Sequence, residues 1–130
     1  MCARGKQSLP QIARRVVGEA REFLVGSQHE GVRVDAVFHY GAVDIDPRHL
    51  VVWILLSGKD DDQLPEWLAV QPGPAQQPDS CPIDYQWLVE LRTEIVRRFA
   101  EADWPTPEQI AVYADSSHRV KAHGGWFYFK

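Results

Sequence analysis

The run Leu50-Val51-Val52-Trp53-Ile54-Leu55-Leu56 constrains this chain more than any other stretch. It is apolar at every position, so it has no face to give to water. A helix that crosses a bilayer needs about 20 such residues, and this run is far shorter. The remaining solution is a strand covered on both faces, or lying centrally in a sheet. The polar stretch Ser57-Gly58-Lys59-Asp60-Asp61-Asp62 ends it in an acidic loop.

The flanking segments supply the rest of such a sheet and its cover. Ser8-Leu9-Pro10-Gln11 reads as a helix start: Ser8 caps, Gln11 reaches back, and Pro10 suits the first turn. Ile12, Val16, Ala20, Phe23 and Leu24 then recur at helical spacing, and Gly26 is a left-handed stop. This predicts a helix over Leu9–Val25. From Gly31 the period changes to two. Val32, Val34, Ala36, Phe38 and Tyr40 alternate with Arg33, Asp35, Val37 and His39, the pattern of a half-buried strand. Val43 to Pro47 is turn chemistry, with Asp46 able to bond back to the backbone. Leu64 to Val70 reads either as one helical turn or as an edge strand. Capped by Asp84 or Ser80, a second helix runs to about Ala102, with Leu88, Leu91, Ile95 and Phe99 as its stripe, broadened by Trp87. The end returns to extended structure at Gln109–Ala114, Arg119–His123 and Trp126–Phe129.

With 130 residues, 45 % of them hydrophobic, the chain fits one domain with a real core. A proline-rich stretch at about 71–82 is a surface loop rather than a domain linker, because neither half could bury a core alone. The predicted fold is α+β, a two-layer sandwich. Two helices pack on one face of a mainly antiparallel sheet of four or five strands, and the other face is exposed or covered by a partner.

Motifs that carry chemistry are scarce. The sequence contains no phosphate-binding glycine loop and no nucleophile elbow. Cys2 and Cys81 lack spaced ligand partners, and with the N-terminal MCARGKQSLP lacking a signal peptide's apolar run, free thiols and a cytoplasmic location are expected. The histidines show no metal-ligand spacing, so no metal and no cofactor is expected. Asp35 and His39 stand four apart on one predicted strand and so share its polar face, an arrangement in which a carboxylate orients an imidazole base. The net charge of −4 argues against a nucleic-acid partner and permits a basic protein. The run Asp60-Asp61-Asp62 lacks the alternate spacing of a calcium loop. With Trp67 five residues beyond it, after the stiffening Pro65, it reads as an acidic rim beside an aromatic anchor. Trp53, Trp87 and Phe99 have core explanations by period; Trp67, Trp104, Trp126 and Tyr128 lack one as good, and they either seal the ends of a small core or stand at an interface.

Two stretches are the most distinctive text: Tyr40-Gly41-Ala42-Val43-Asp44-Ile45-Asp46-Pro47-Arg48-His49-Leu50-Val51-Val52-Trp53, and Gly124-Gly125-Trp126-Phe127-Tyr128-Phe129-Lys130. Their layout resembles that of small stand-alone bacterial immunity proteins, which neutralise a toxin by binding it. The likeness covers roughly the last two-thirds of the chain and carries over no inhibitory residue. It implies a non-enzymatic protein-binding domain, and the acidic run with its aromatic anchor, Asp60, Asp61, Asp62 and Trp67, is the candidate partner site read from the residues themselves. The alternative is a small enzyme or small-molecule-binding domain built on the polar sheet face around Asp35 and His39.

Overall fold

The computed structural model describes residues 8–41, 43, 45–60, 63–64, 68–71 and 84–122. Helix α1 spans Leu9–Leu24 and opens on the expected capping box, in which Ser8 Oγ accepts from the Gln11 amide and the Gln11 side chain accepts from the Ser8 amide. It stops at Gly26, which takes φ +95°. Strand β1 (Gln28–His29) turns through Glu30 and Gly31 into β2 (Val32–Tyr40). A 3-10 turn at Pro47–His49, capped by the Asp46 carboxylate, leads into β3 (Val51–Ser57). After β4 (Leu68–Ala69), helix α2 (Tyr85–Glu101) starts on Asp84, whose Oδ1 accepts from the Gln86 amide. Strand β5 (Ala111–Ser116) runs directly into α3 (Ser117–Ala122).

The sheet order is β1-β2-β3-β5-β4. The apolar run is central, as its composition requires. Its pairing with β5 is parallel, while the other pairs are antiparallel. Short connections favour antiparallel neighbours, but the segment between β3 and β5 holds α2 and is long enough for a crossover. The sheet is therefore mixed, and the α+β sandwich stands.

Helices α1 and α2 cover one face. Ala13, Val16, Val17, Ala20 and Leu24 of α1 and Leu88, Leu91, Ile95 and Phe99 of α2 meet Val52, Ile54 and Leu56 of β3 in one cluster of buried residues. Trp53 is 1 % exposed yet stands outside that cluster, on the opposite face, stacked on Tyr113 with ring centroids 5.1 Å apart. Trp104 is buried in the helix-side core, edge-on to Phe99 at 5.1 Å. Of the two readings open for it, the sealing of the core rather than an interface holds, since it closes the core beyond the C-terminus of α2.

Two expectations of local structure fail. Arg119–His123 does not start a strand: Ser116 Oγ accepts from the Arg119 amide, which caps α3 instead. In β2 the two-residue period slips. Val34 pairs with Leu56 and Ala36 with Leu55, which leaves Asp35 as the extra residue of a β-bulge. Beyond it the buried residue is Val37, not Ala36. The expected strand at Trp126–Phe129 lies outside the described residues, as do Cys2 and Cys81.

Candidate functional site

The bulge decides which polar groups meet. Residues directly opposite one another in a sheet share a face, so His39, paired with Val52, stands on the helix side. It lines a groove of about 270 Å³ with Arg14, Val17, Gly18 and Arg21 of α1. Burial, aided by repulsion from Arg14, holds its pKa below the ordinary histidine value. Asp35 turns the other way, to the end of the sheet where β3 and β5 finish. The shared face expected for Asp35 and His39 is therefore corrected, because one inserted residue reverses the phase of everything after it.

Around Asp35 the carboxylate is fully engaged. Its Oδ1 accepts from Ser57 Oγ at 3.0 Å and from Arg33 Nη2 at 3.1 Å, and its Oδ2 accepts from Ser117 Oγ at 2.7 Å. Burial pushes this carboxyl up, but the bonds from Ser117, Ser57 and Arg33 together outweigh it and leave the pKa below the usual carboxylate value. Alongside, the fully buried Asp115 accepts from the Ser116 amide at 2.7 Å and from Arg119 Nη1 at 2.8 Å. The parallel β3–β5 pair brings these groups together at its carboxyl end. Chemically the cluster holds position. Its hydroxyls donate to a weakly basic carboxylate, which is a poor arrangement for activating either serine.

An aspartate–histidine pair does exist, between residues far apart in sequence. His29 Nε2 lies 2.9 Å from Asp84 Oδ2, and the imidazole stacks on Trp87 with centroids 5.4 Å apart. The bond from His29, more than the helix N-terminus itself, lowers the Asp84 carboxyl. The pair ties β1 to the cap of α2. Nothing in the order of the chain signals it, because it depends on the packing of α2 beside β1.

Of the acidic loop, Asp60 is described: it is exposed and forms no ion pair among the described residues. Its mount is rigid. Gly58 takes φ +102°, and a Cβ there would stand 2.2 Å from the Gly31 carbonyl oxygen, so the β3 exit is pressed against the β1–β2 turn. Exposed Glu30 lies in that same turn. Asp61, Asp62 and Trp67 lie outside the described residues. Among the described residues no group of His, Cys, Asp or Glu is arranged to hold a metal ion. No helix among them is long and apolar enough to cross a membrane.

Sequence reasoning passed over two features. Ser57 and Ser117 look like ordinary turn residues until the parallel pairing converges them on Asp35. Arg92 looks like one more solvated helix arginine, yet its position four residues after Leu88 and three before Ile95 already puts it beside the apolar stripe. No family model matches the chain, and neither a curated protein nor a solved structure matches it.

Proposed function

We propose that the chain is a non-enzymatic protein-binding domain of the toxin-neutralising kind, which takes a basic partner at the acidic loop following β3. The observation that carries this reading is the exposed carboxylate of Asp60, which forms no ion pair among the described residues, on a closely packed exit from the central strand. Asp61 and Asp62 extend the negative charge in sequence, and Trp67 supplies the aromatic area that holds a complex once formed. Charge at such a rim acts mainly on the association rate, and a buried anchor acts mainly on dissociation. A catalytic face built on Asp35 and His39 draws no support from the geometry, because the bulge separates the two groups.

The test is growth rescue. Co-expression with candidate toxins encoded beside its gene should protect cells from one of them. The triple change Asp60→Asn, Asp61→Asn, Asp62→Asn should weaken protection, and Trp67→Ala should speed dissociation of the complex, with circular dichroism unchanged. Protection that survives both changes in full would place the partner elsewhere.

A further inference from the structure

The arginines of Asp46–Arg48, Glu94–Arg98 and Asp115–Arg119 face carboxylates. Arg92 does not. It projects from α2, is only 9 % exposed, and has no carboxylate within ion-pair distance among the described residues. Its Nη2 donates to the carbonyl oxygens of Glu108 at 3.0 Å and Ile110 at 3.4 Å. Those bonds engage one nitrogen of the guanidinium. Nε is buried without a partner, and Nη1 bonds to nothing among the described residues. Burial lowers the pKa of this arginine, against a smaller opposing effect of Tyr85. Positioning the two carbonyls needs donors but no charge. A buried cation left without a counter-ion is unfavourable, and a structure tolerates it where a ligand supplies the missing charge.

The same guanidinium lines a cleft of about 400 Å³ between the start of β5, the strand-like segment Ala69–Gln71, and the 3-10 turn Pro107–Gln109. That volume falls in the range of small-molecule sites, roughly 300–1,000 Å³. Val70, Ile110 and Val112 border it but are spent in the core, so the lining is mixed, with exposed Gln71 and Gln109 beside the guanidinium. We infer that this cleft binds a small carboxylate, with Arg92 receiving the charge. Because Nη2 already serves the two carbonyls, a carboxylate there meets the guanidinium charge and the remaining donor Nη1. A singly charged group fits better than a dianion, because Arg92 is the one cation among the described lining residues and exposed Glu108 stands on the rim. This site lies apart from the acidic loop and does not depend on the protein-binding proposal.

The probe is benzoate, titrated into the isotopically labelled full chain and followed by NMR at the amides of Ala69, Ala111 and Val112 and at the Arg92 Nε–H. Saturable shifts at these groups are expected, at least tenfold weaker for the neutral isostere benzamide and for inorganic phosphate. A short peptide with a free C-terminal carboxylate, compared with its amide, separates the two sources of the ligand. Tighter binding of the free peptide than of benzoate assigns a chain terminus, and the reverse assigns a small acid. Arg92→Met should abolish binding and Arg92→Lys should retain a weakened form of it. If Arg92→Met does not fold, the benzoate–benzamide contrast in the parent decides alone. Shifts that do not saturate at millimolar benzoate, equal binding of benzamide, or preference for phosphate would each overturn the site.

Discussion

Asp35 is the residue on which the polar end of the sheet turns. It joins β2, β3 and α3 through one carboxylate whose side chain is 28 % exposed. Replacing it by Asn removes the charge from three hydrogen bonds and should destabilise the fold by about 1–3 kcal/mol in urea unfolding. Its folded-state pKa is depressed, so the stability it contributes is present above the unfolded value of 3.8 and disappears as pH falls through the lower folded value. The difference between parent and Asp35→Asn should therefore vanish in strong acid. A gap that persists there would mean that the carboxylate acts by shape rather than charge. His39 gives the companion case. NMR should find its midpoint below 6.5, and Arg14→Ala should raise it part of the way, since burial remains. For a base with a depressed folded pKa, folding weakens as pH drops below 6.5 and stops weakening once the folded-state imidazole titrates. An unchanged midpoint in Arg14→Ala would remove the arginine from the account.

At the scale of elements, the exit of β3 is the sharpest prediction. Gly58→Ala places a methyl against backbone at a positive φ, so unfolding should become easier by more than about 2 kcal/mol. Calorimetry showing no loss would mean that the two turns part freely and that the acidic loop has no fixed mount. The same scale shows what a sequence reveals. Helices α1 and α2, their caps at Ser8 and Asp84, and the central β3 were legible, because period, capping chemistry and apolar runs are local signals. The bulge was not, since a strict alternation over residues 32–40 looks unbroken. Its trace is a valine at 37 on the supposed polar face and a mere alanine at 36 on the supposed core face. The α3 cap at Ser116 was hidden by a β-branched valine and by the expectation of a hairpin. The convergence of Ser57, Ser117 and Asp35 depends on parallel pairing, which no local pattern encodes.

Across the whole molecule the two faces of the sheet differ in kind. The helix side holds the apolar core, where Ile54→Ala should cost about 2–5 kcal/mol by denaturant titration. The opposite side holds the Trp53–Tyr113 stack, α3, and the Asp35 and Asp115 clusters at the carboxyl end of β3 and β5. The acidic loop leaves from that end, held by the Gly58–Gly31 contact. On the proposed reading, that exit is where the exposed Asp60 carboxylate meets its partner. The direct measurement is affinity capture by the immobilised chain from cells of its source, at low salt and again at about 0.5 M, where the Debye length falls to a few ångströms. One stoichiometric basic protein should be held at low salt, released in part at high salt, and captured less well by the Asp60→Asn, Asp61→Asn, Asp62→Asn variant. A partner held equally by parent and triple variant at both salt concentrations would contradict this.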